Sequence, residues 1–232
     1  MSPLTLRLPH SQCAVLFDVD GTIVDSHPLH FEAYARALAE VSDIRIDWNE
    51  YVDKCLREGR KFEDLVAEYD TTCDGRALHA AKTEWLKKLG KGRLKLRIGL
   101  PELWMDLALN EARLALVSTA RKASLETLQG LCPLPTPSDV VVCRETVGSR
   151  IKPDPFAFRH AAEKISVAPE RCLVIEDAPV GVFAAKEAGM CCIALRTPIF
   201  GDIDLAHADA RFDRFSDLKV FWDRGTGKIS IL

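Results

Sequence analysis

The chain has 232 residues, 47% hydrophobic, 28% charged and 7% aromatic, with 13 Gly and 12 Pro, a globular composition that excludes disorder, collagen-like repeats and a coiled coil. Lys and Arg number 31 against 34 Asp and Glu, a net charge of −3, without the basic excess that nucleic-acid or anionic-membrane binding requires. No apolar run approaches the roughly 18–20 residues of a membrane span, and Met1–Gln12, with two prolines and His10, lacks the apolar stretch of a secretory signal, so the expectation is a cytoplasmic monomer.

The first buried-strand pattern is the apolar run Ala14–Phe17. Amphipathic helical patterns follow at His30–Ala39, Trp48–Leu56, Phe62–Tyr69 and Ala77–Leu89, with no strand run among them. The next strand, Leu114–Val117, comes only after 96 further residues, far more than one crossover helix needs, so a helical insertion is predicted. Helix Lys122–Gln129, the Pro-rich loop Cys132–Pro137, strand Val140–Val142, helix Phe156–Lys164, strand Leu173–Ile175, helix Val180–Ala188 with Gly189 as its cap, and strand Cys191–Leu195 complete the order. This alternation specifies an α/β fold, a Rossmann-like parallel sheet with helices on both faces. The predicted division is a core of residues 1–24 and 93–232 and a helical insertion of residues 25–92. Eight cysteines without a Cys-x-x-Cys pair or a His at zinc-finger spacing read as buried reduced thiols.

The chemistry-bearing residues fall at strand ends. Asp18-Val19-Asp20-Gly21-Thr22 follows the first strand and sets two carboxylates at i and i+2 on one face. A calcium loop of the EF-hand type is excluded, because position 29 is Leu29 where a Glu is needed. Ser118-Thr119 follows the second strand and offers hydroxyls and amides that suit a phosphate. Lys152 lies between Ile151 and Pro153-Asp154-Pro155, and Glu176-Asp177 ends a buried apolar strand. Taken singly, Ser118 reads as a helix N-cap, Lys152 as a surface lysine and Glu176-Asp177 as a solvated turn.

Taken in this order, the four segments resemble the motifs of the haloacid dehalogenase superfamily, and the insertion resembles the small α-helical cap of its β-phosphoglucomutase-like phosphatases. The segment His79-Ala80-Ala81-Lys82-Thr83-Glu84 is also similar to the last cap helix of a subgroup acting on sugar bisphosphates. The resemblance implies a phosphatase of a small phosphate ester, a sugar or polyol phosphate, working through an aspartyl-phosphate. It implies Asp18 as nucleophile, Asp20 as acid and base, and Ser118, Thr119 and Lys152 as phosphate-binding groups. Mg2+ would be held by Asp18, the Asp20 carbonyl and Asp177, with Glu176 beside or within the set. Arg60 and Lys61 lie where capped relatives carry a specificity loop, so a second anionic group is expected there; otherwise they form a solvated corner. His30 reads as a helix-surface residue, with a catalytic role as the other possibility. Ile98 stands where relatives have Pro, and Arg121-Lys122 add charge beside the second motif. The alternatives are a β-phosphoglucomutase-type phosphomutase and, from another class, a phosphoacceptor receiver module, which has no use for a helical lid.

Overall fold

Ala14–Phe17 (β2) is apolar at every position because the strand is covered on both faces: none of its four residues is more than 1% exposed. Arg113–Val117 (β3), Val140–Val142 (β4), Cys172–Glu176 (β5), Cys191–Leu195 (β6) and Ala210–Phe212 (β7) join it in an all-parallel sheet of order β4-β3-β2-β5-β6-β7. This computed structural model describes residues 4–7, 13–136, 139–218, 220–223 and 228–231. Leu4–Arg7 (β1), Val220–Asp223 (β8) and Lys228–Ile231 (β9) form a separate antiparallel sheet, ordered β1-β9-β8.

The two-residue period of the strands sorts the core into two layers. Val15, Phe17, Leu116 and Ile175 face one side, where Leu100–Leu109 (α5) and Lys122–Leu131 (α6) pack through Leu103, Leu107 and Leu128. Leu16, Val117 and Val174 face the other, against Phe156–Lys164 (α8) and Pro179–Glu187 (α9) through Phe158, Ala161 and Ala185. Between β3 and α8 the chain also forms Arg144–Val147 (α7). Both faces carry helices, as the strand–helix alternation predicts.

Between β2 and α5 lie His27–Val41 (α1), Trp48–Glu50 (α2), Phe62–Tyr69 (α3) and Gly75–Gly90 (α4). They share a third apolar cluster that includes Leu38, Tyr51, Phe62, Leu65 and Leu78, with the Tyr34 and Phe62 rings stacked at 4.2 Å. The expected helix Trp48–Leu56 is modified: after α2 the chain widens into a π-helix, Tyr51–Arg57. The wider turn buries Tyr51 and Val52, while Arg57 Nε donates to Asp204 Oδ1, beyond β6, at 2.9 Å.

All eight cysteines are free thiols; five are buried, as expected, whereas Cys55, Cys73 and Cys191 are only half-buried. Residues 133–136 have no regular structure, and Pro137, the end of the expected loop, lies outside the described residues, as do 1–3 and 8–12. Among the described residues no helix is long and apolar enough to cross a membrane.

Phe158 is fully buried on the α8 side of the sheet. Phe158→Ala should lower unfolding free energy by about 3–5 kcal/mol, read from the urea midpoint at unchanged slope. A loss below about 1 kcal/mol would contradict this packing.

Candidate active site

Register brings the chemistry-bearing residues together. Phe17 pairs with Leu116 on one side and Ile175 on the other, so Asp18, Ser118 and Glu176-Asp177 leave the sheet at its carboxyl edge side by side. The ladder continues past the strands: Asp18 N donates to Ile175 O and Ser118 N to Val142 O, both at 3.0 Å.

Lys152 enters from the loop before α8 and is 5% exposed. Its Nζ donates to Asp18 Oδ1 at 2.5 Å, Glu176 Oε1 at 2.6 Å and Val117 O at 3.0 Å. Burial disfavours the ammonium, but the two carboxylates outweigh it and hold Lys152 above the usual lysine range. Burial, reinforced by Glu176, pushes the Asp18 carboxyl well up against the opposing pull of Lys152. Glu176 Oε2 accepts from the amides of Asp177 and Ala178 at 2.9 and 3.1 Å. This carboxylate lies so close to α9 that a Cβ on Gly181 would stand 1.8 Å from Glu176 Oε1.

Asp177 is fully buried; its Oδ1 accepts from Thr22 Oγ1 at 2.9 Å. Its Oδ2 lies 3.4 Å from His27 Nε2, and neither atom has a hydrogen-bond partner among the described residues. Burial opposes charge on His27, yet Asp177 and then Asp20 and Asp18 outweigh it and raise the imidazole's pKa. Gly21, at φ +90°, lets the loop pass this pair: a Cβ there would be 2.2 Å from Asp177 Oδ2 and 2.3 Å from His27 Nε2. Oxygens of Asp18, Glu176 and Asp177 all lie within 4.8 Å of one another. Three carboxylates, one with an unsatisfied buried oxygen, are a donor set that fits a small hard cation such as Mg2+.

The Asp20 carboxylate turns toward the insertion. Its Oδ1 accepts from Ser26 Oγ at 2.6 Å and from His30 Nε2 at 2.7 Å. Burial would raise Asp20, but His30 and Ser26, helped by His27, hold it well below the usual carboxylate range. Burial and the nearby Lys82 charge lower the His30 pKa against the opposing pull of Asp20, toward whose carboxylate Nε2 points. His30 is therefore not the surface residue the sequence suggests; it is 6% exposed and turned inward. The buried face of α1 carries His27, His30, Ala33 and Ala37, a helical period that assigns it inward.

Two cavities meet at Asp20. One, of about 130 Å³, is lined by Asp18, Asp20, Ser118, Thr119, Lys152 and Glu176. The other, of about 200 Å³, extends from Asp20 under the insertion past Tyr34, Glu63, Lys82, Arg121 and Arg144. Arg60 and Lys61 border both, but Arg60 Nη2 donates to Glu68 Oε1 at 2.6 Å and Lys61 Nζ is 3.9 Å from Asp64 Oδ2. The corner expected to meet a second anion is thus already partnered by its own carboxylates. Lys82, quoted in the sequence only within a helix segment, is 3% exposed and faces this cavity. A signal existed: Leu78, Lys82 and Leu86, spaced by four, are all buried on one face of α4.

Burial pushes the Lys82 ammonium down to about 8. Below pH 8 the folded protein bears the cost of a buried charge; between 8 and the unfolded value of about 10.4 that cost disappears. The stability gained on Lys82→Met should therefore shrink by about 3 kcal/mol from pH 7 to pH 10.5, measured by urea unfolding of both proteins. A gain independent of pH would contradict the buried position of this charge.

Comparison with known proteins agrees with this geometry. A family model for haloacid dehalogenase-like hydrolases matches residues 14–189. Hexitol phosphatase A of Escherichia coli K12 is 30% identical over 202 residues, covering 82% of this chain and 88% of that protein. The crystal structure of a CbbY mutant from Rhodobacter sphaeroides in complex with xylulose 1,5-bisphosphate superposes with a TM-score of 0.78 at 29% identity, covering 89% of this chain and 96% of that one. A structure described as a β-phosphoglucomutase of Bacteroides vulgatus gives a TM-score of 0.74 at 26% identity, covering 90% and 86%. The chain belongs to the haloacid dehalogenase-like hydrolases, among the members that resemble β-phosphoglucomutase.

Proposed function

We propose that the protein is a phosphatase that hydrolyses a small phosphorylated sugar or polyol through a phosphorylated Asp18, with residues 25–92 acting as a cap over a core of residues 1–24 and 93–232. The observation that carries this reading is the buried Lys152 ammonium between Asp18 and Glu176 at a parallel-sheet edge. An ion pair of that kind, in a small cavity that also receives Ser118 and Thr119, suits a phosphoryl group.

Asp18 attacks phosphorus in line as the ester oxygen departs, so that one P–O bond forms and one breaks. Ser118 and Thr119 hold the phosphoryl oxygens and Lys152 offsets their charge. Asp18, Asp177 and the Asp20 carbonyl, with Glu176, would hold Mg2+, which supplies further charge neutralisation when bound. Asp20 borders both cavities and so faces the leaving oxygen. Its carboxylate is ionised in the resting site, and an arriving phosphate dianion raises its proton affinity by like-charge repulsion. Protonated Asp20 then gives its proton to the leaving alcohol and, ionised again, takes one from the water that hydrolyses the acyl phosphate. Ser26 and His30 hold the carboxylate for both steps.

Asp18→Asn should keep the circular dichroism of the wild type and release no phosphate from a panel of sugar and polyol phosphates. EDTA should silence the wild type and Mg2+, not Ca2+, restore it; full turnover in chelator or in Asp18→Asn would refute the reading. Asp20→Asn should slow single-turnover phosphorylation by an alkyl phosphate about 100- to 10,000-fold. It should slow phosphorylation by p-nitrophenyl phosphate, whose leaving group needs no proton, far less. Equal losses would make Asp20 structural.

A further inference from the structure

The cavity beyond Asp20 holds charges of both signs. Lys82 from the insertion and Arg121 and Arg144 from the core line it, with Asp20 and Glu63 among them. The charge of Glu63 acts on both Lys82 and Arg144, and that of Arg121 acts on Glu63 and on Glu145. Arg60 and Lys61, at the border, are met by Glu68 and Asp64. The cations here therefore have counterparts before any substrate arrives, and the carboxylate they share is Glu63.

Glu63 is held in place from its own side of the cavity. It stands in the first turn of α3, where the positive end of the helix dipole favours a carboxylate. Its Oε1 is bonded to His79 Nδ1 at 2.9 Å and accepts from Tyr34 OH at 3.4 Å. Helix α4 begins so near that a Cβ on Gly75 would stand 3.1 Å from Glu63 Cβ. Burial would raise the Glu63 carboxyl, but His79, its own backbone amide and Arg121 outweigh it, and the group stays ionised. Both side-chain bonds use Oε1; Oε2 accepts none among the described residues. A carboxylate oxygen so placed can accept from a hydroxyl, whereas a carboxylate or phosphate brought beside it meets a like charge away from bulk water.

We propose that Glu63 reserves this cavity for an uncharged, hydroxylated leaving half, so that the substrate carries no anion besides the phosphoryl group that reacts. The proposal deepens the phosphatase reading and rests on it in one respect: Asp20 faces the leaving oxygen, so the leaving half enters this cavity. Glu63 is then a specificity-determining residue, and the basic residues around it orient hydroxyls and balance Glu63 and Asp20. Discrimination comes from repulsion of the doubly charged ester as much as from attraction of the neutral one.

The test compares kcat/KM within matched pairs: sorbitol 6-phosphate against 6-phosphogluconate, and fructose 6-phosphate against fructose 1,6-bisphosphate. The wild type should prefer the member with one anionic group in both pairs by about tenfold or more, since like charges brought together cost at least that much in affinity. Glu63→Gln keeps the shape and the Oε1 bonds but removes the charge, and should cut that preference about tenfold, chiefly by lowering KM for the doubly charged member. Glu63→Asp, which keeps the charge, should retain most of it. Absence of the preference in the wild type, or an equal change on both members in Glu63→Gln, would overturn the proposal; the wild-type comparison stands even if that variant fails to fold. If no ester, p-nitrophenyl phosphate included, released phosphate, the phosphatase reading would fail, and calorimetric titration with inorganic phosphate would decide the role of Glu63 separately. One phosphate more per chain in Glu63→Gln than in the wild type would sustain it; equal stoichiometry would end it.

Discussion

Asp18, Glu176 and Asp177 place carboxylate oxygens within 4.8 Å of one another at the edge of an apolar sheet, each of them buried. Such a cluster is unstable unless positive charge is brought to it, because both desolvation and mutual repulsion favour protonation. Lys152 brings that charge, bonding Asp18 and Glu176 at once and resting 4.8 Å above the Phe158 ring. Much of the local structure serves this contact. The parallel register aligns three strand ends, α8 supplies Phe158, and α9 begins with a turn whose Gly181 leaves room for the Glu176 carboxylate.

The insertion is tied to the same centre through the first turn of α1. Ser26 and His30 hold Asp20, and His27 stands beside Asp177, so the residues that set the acid's proton affinity travel with the helix that leads into the insertion. Arg97 fastens the loop from the other side, with Nε and Nη2 donating to Gly21 O at 3.1 and 2.7 Å.

The sheet and its flanking helices were legible because buried parallel strands are short, uniformly apolar and separated by helical periods. The residues gathered at the strand ends were legible for the same reason: Asp18, Ser118 and Glu176 each follow an apolar run directly. What was not legible depended on tertiary direction. His30 looked like a helix-surface residue because periodicity does not say which face meets a carboxylate donated by another segment. Lys82 was hidden by the habit of reading lysine as solvated, although its neighbours at four-residue spacing are leucines. The three-residue β7 gave no apolar run, with Arg211 at its centre, whereas the equally short β4 showed itself as three consecutive valines. Helix α5 is apolar at seven of its ten positions, which blurs the polar face that marks an amphipathic helix.

The proposed hydrolysis depends on Asp18 accepting the phosphoryl group while Lys152 balances its charge. Rapid acid quench of the enzyme with a turned-over phosphate ester, followed by peptide mass spectrometry, reads this directly. A single phosphoryl group should appear on the Asp18 peptide within the first turnover, labile to hydroxylamine and absent when the metal is chelated. Phosphate released in a single turnover with no phosphorylated peptide, or with the group on any other residue, would contradict it.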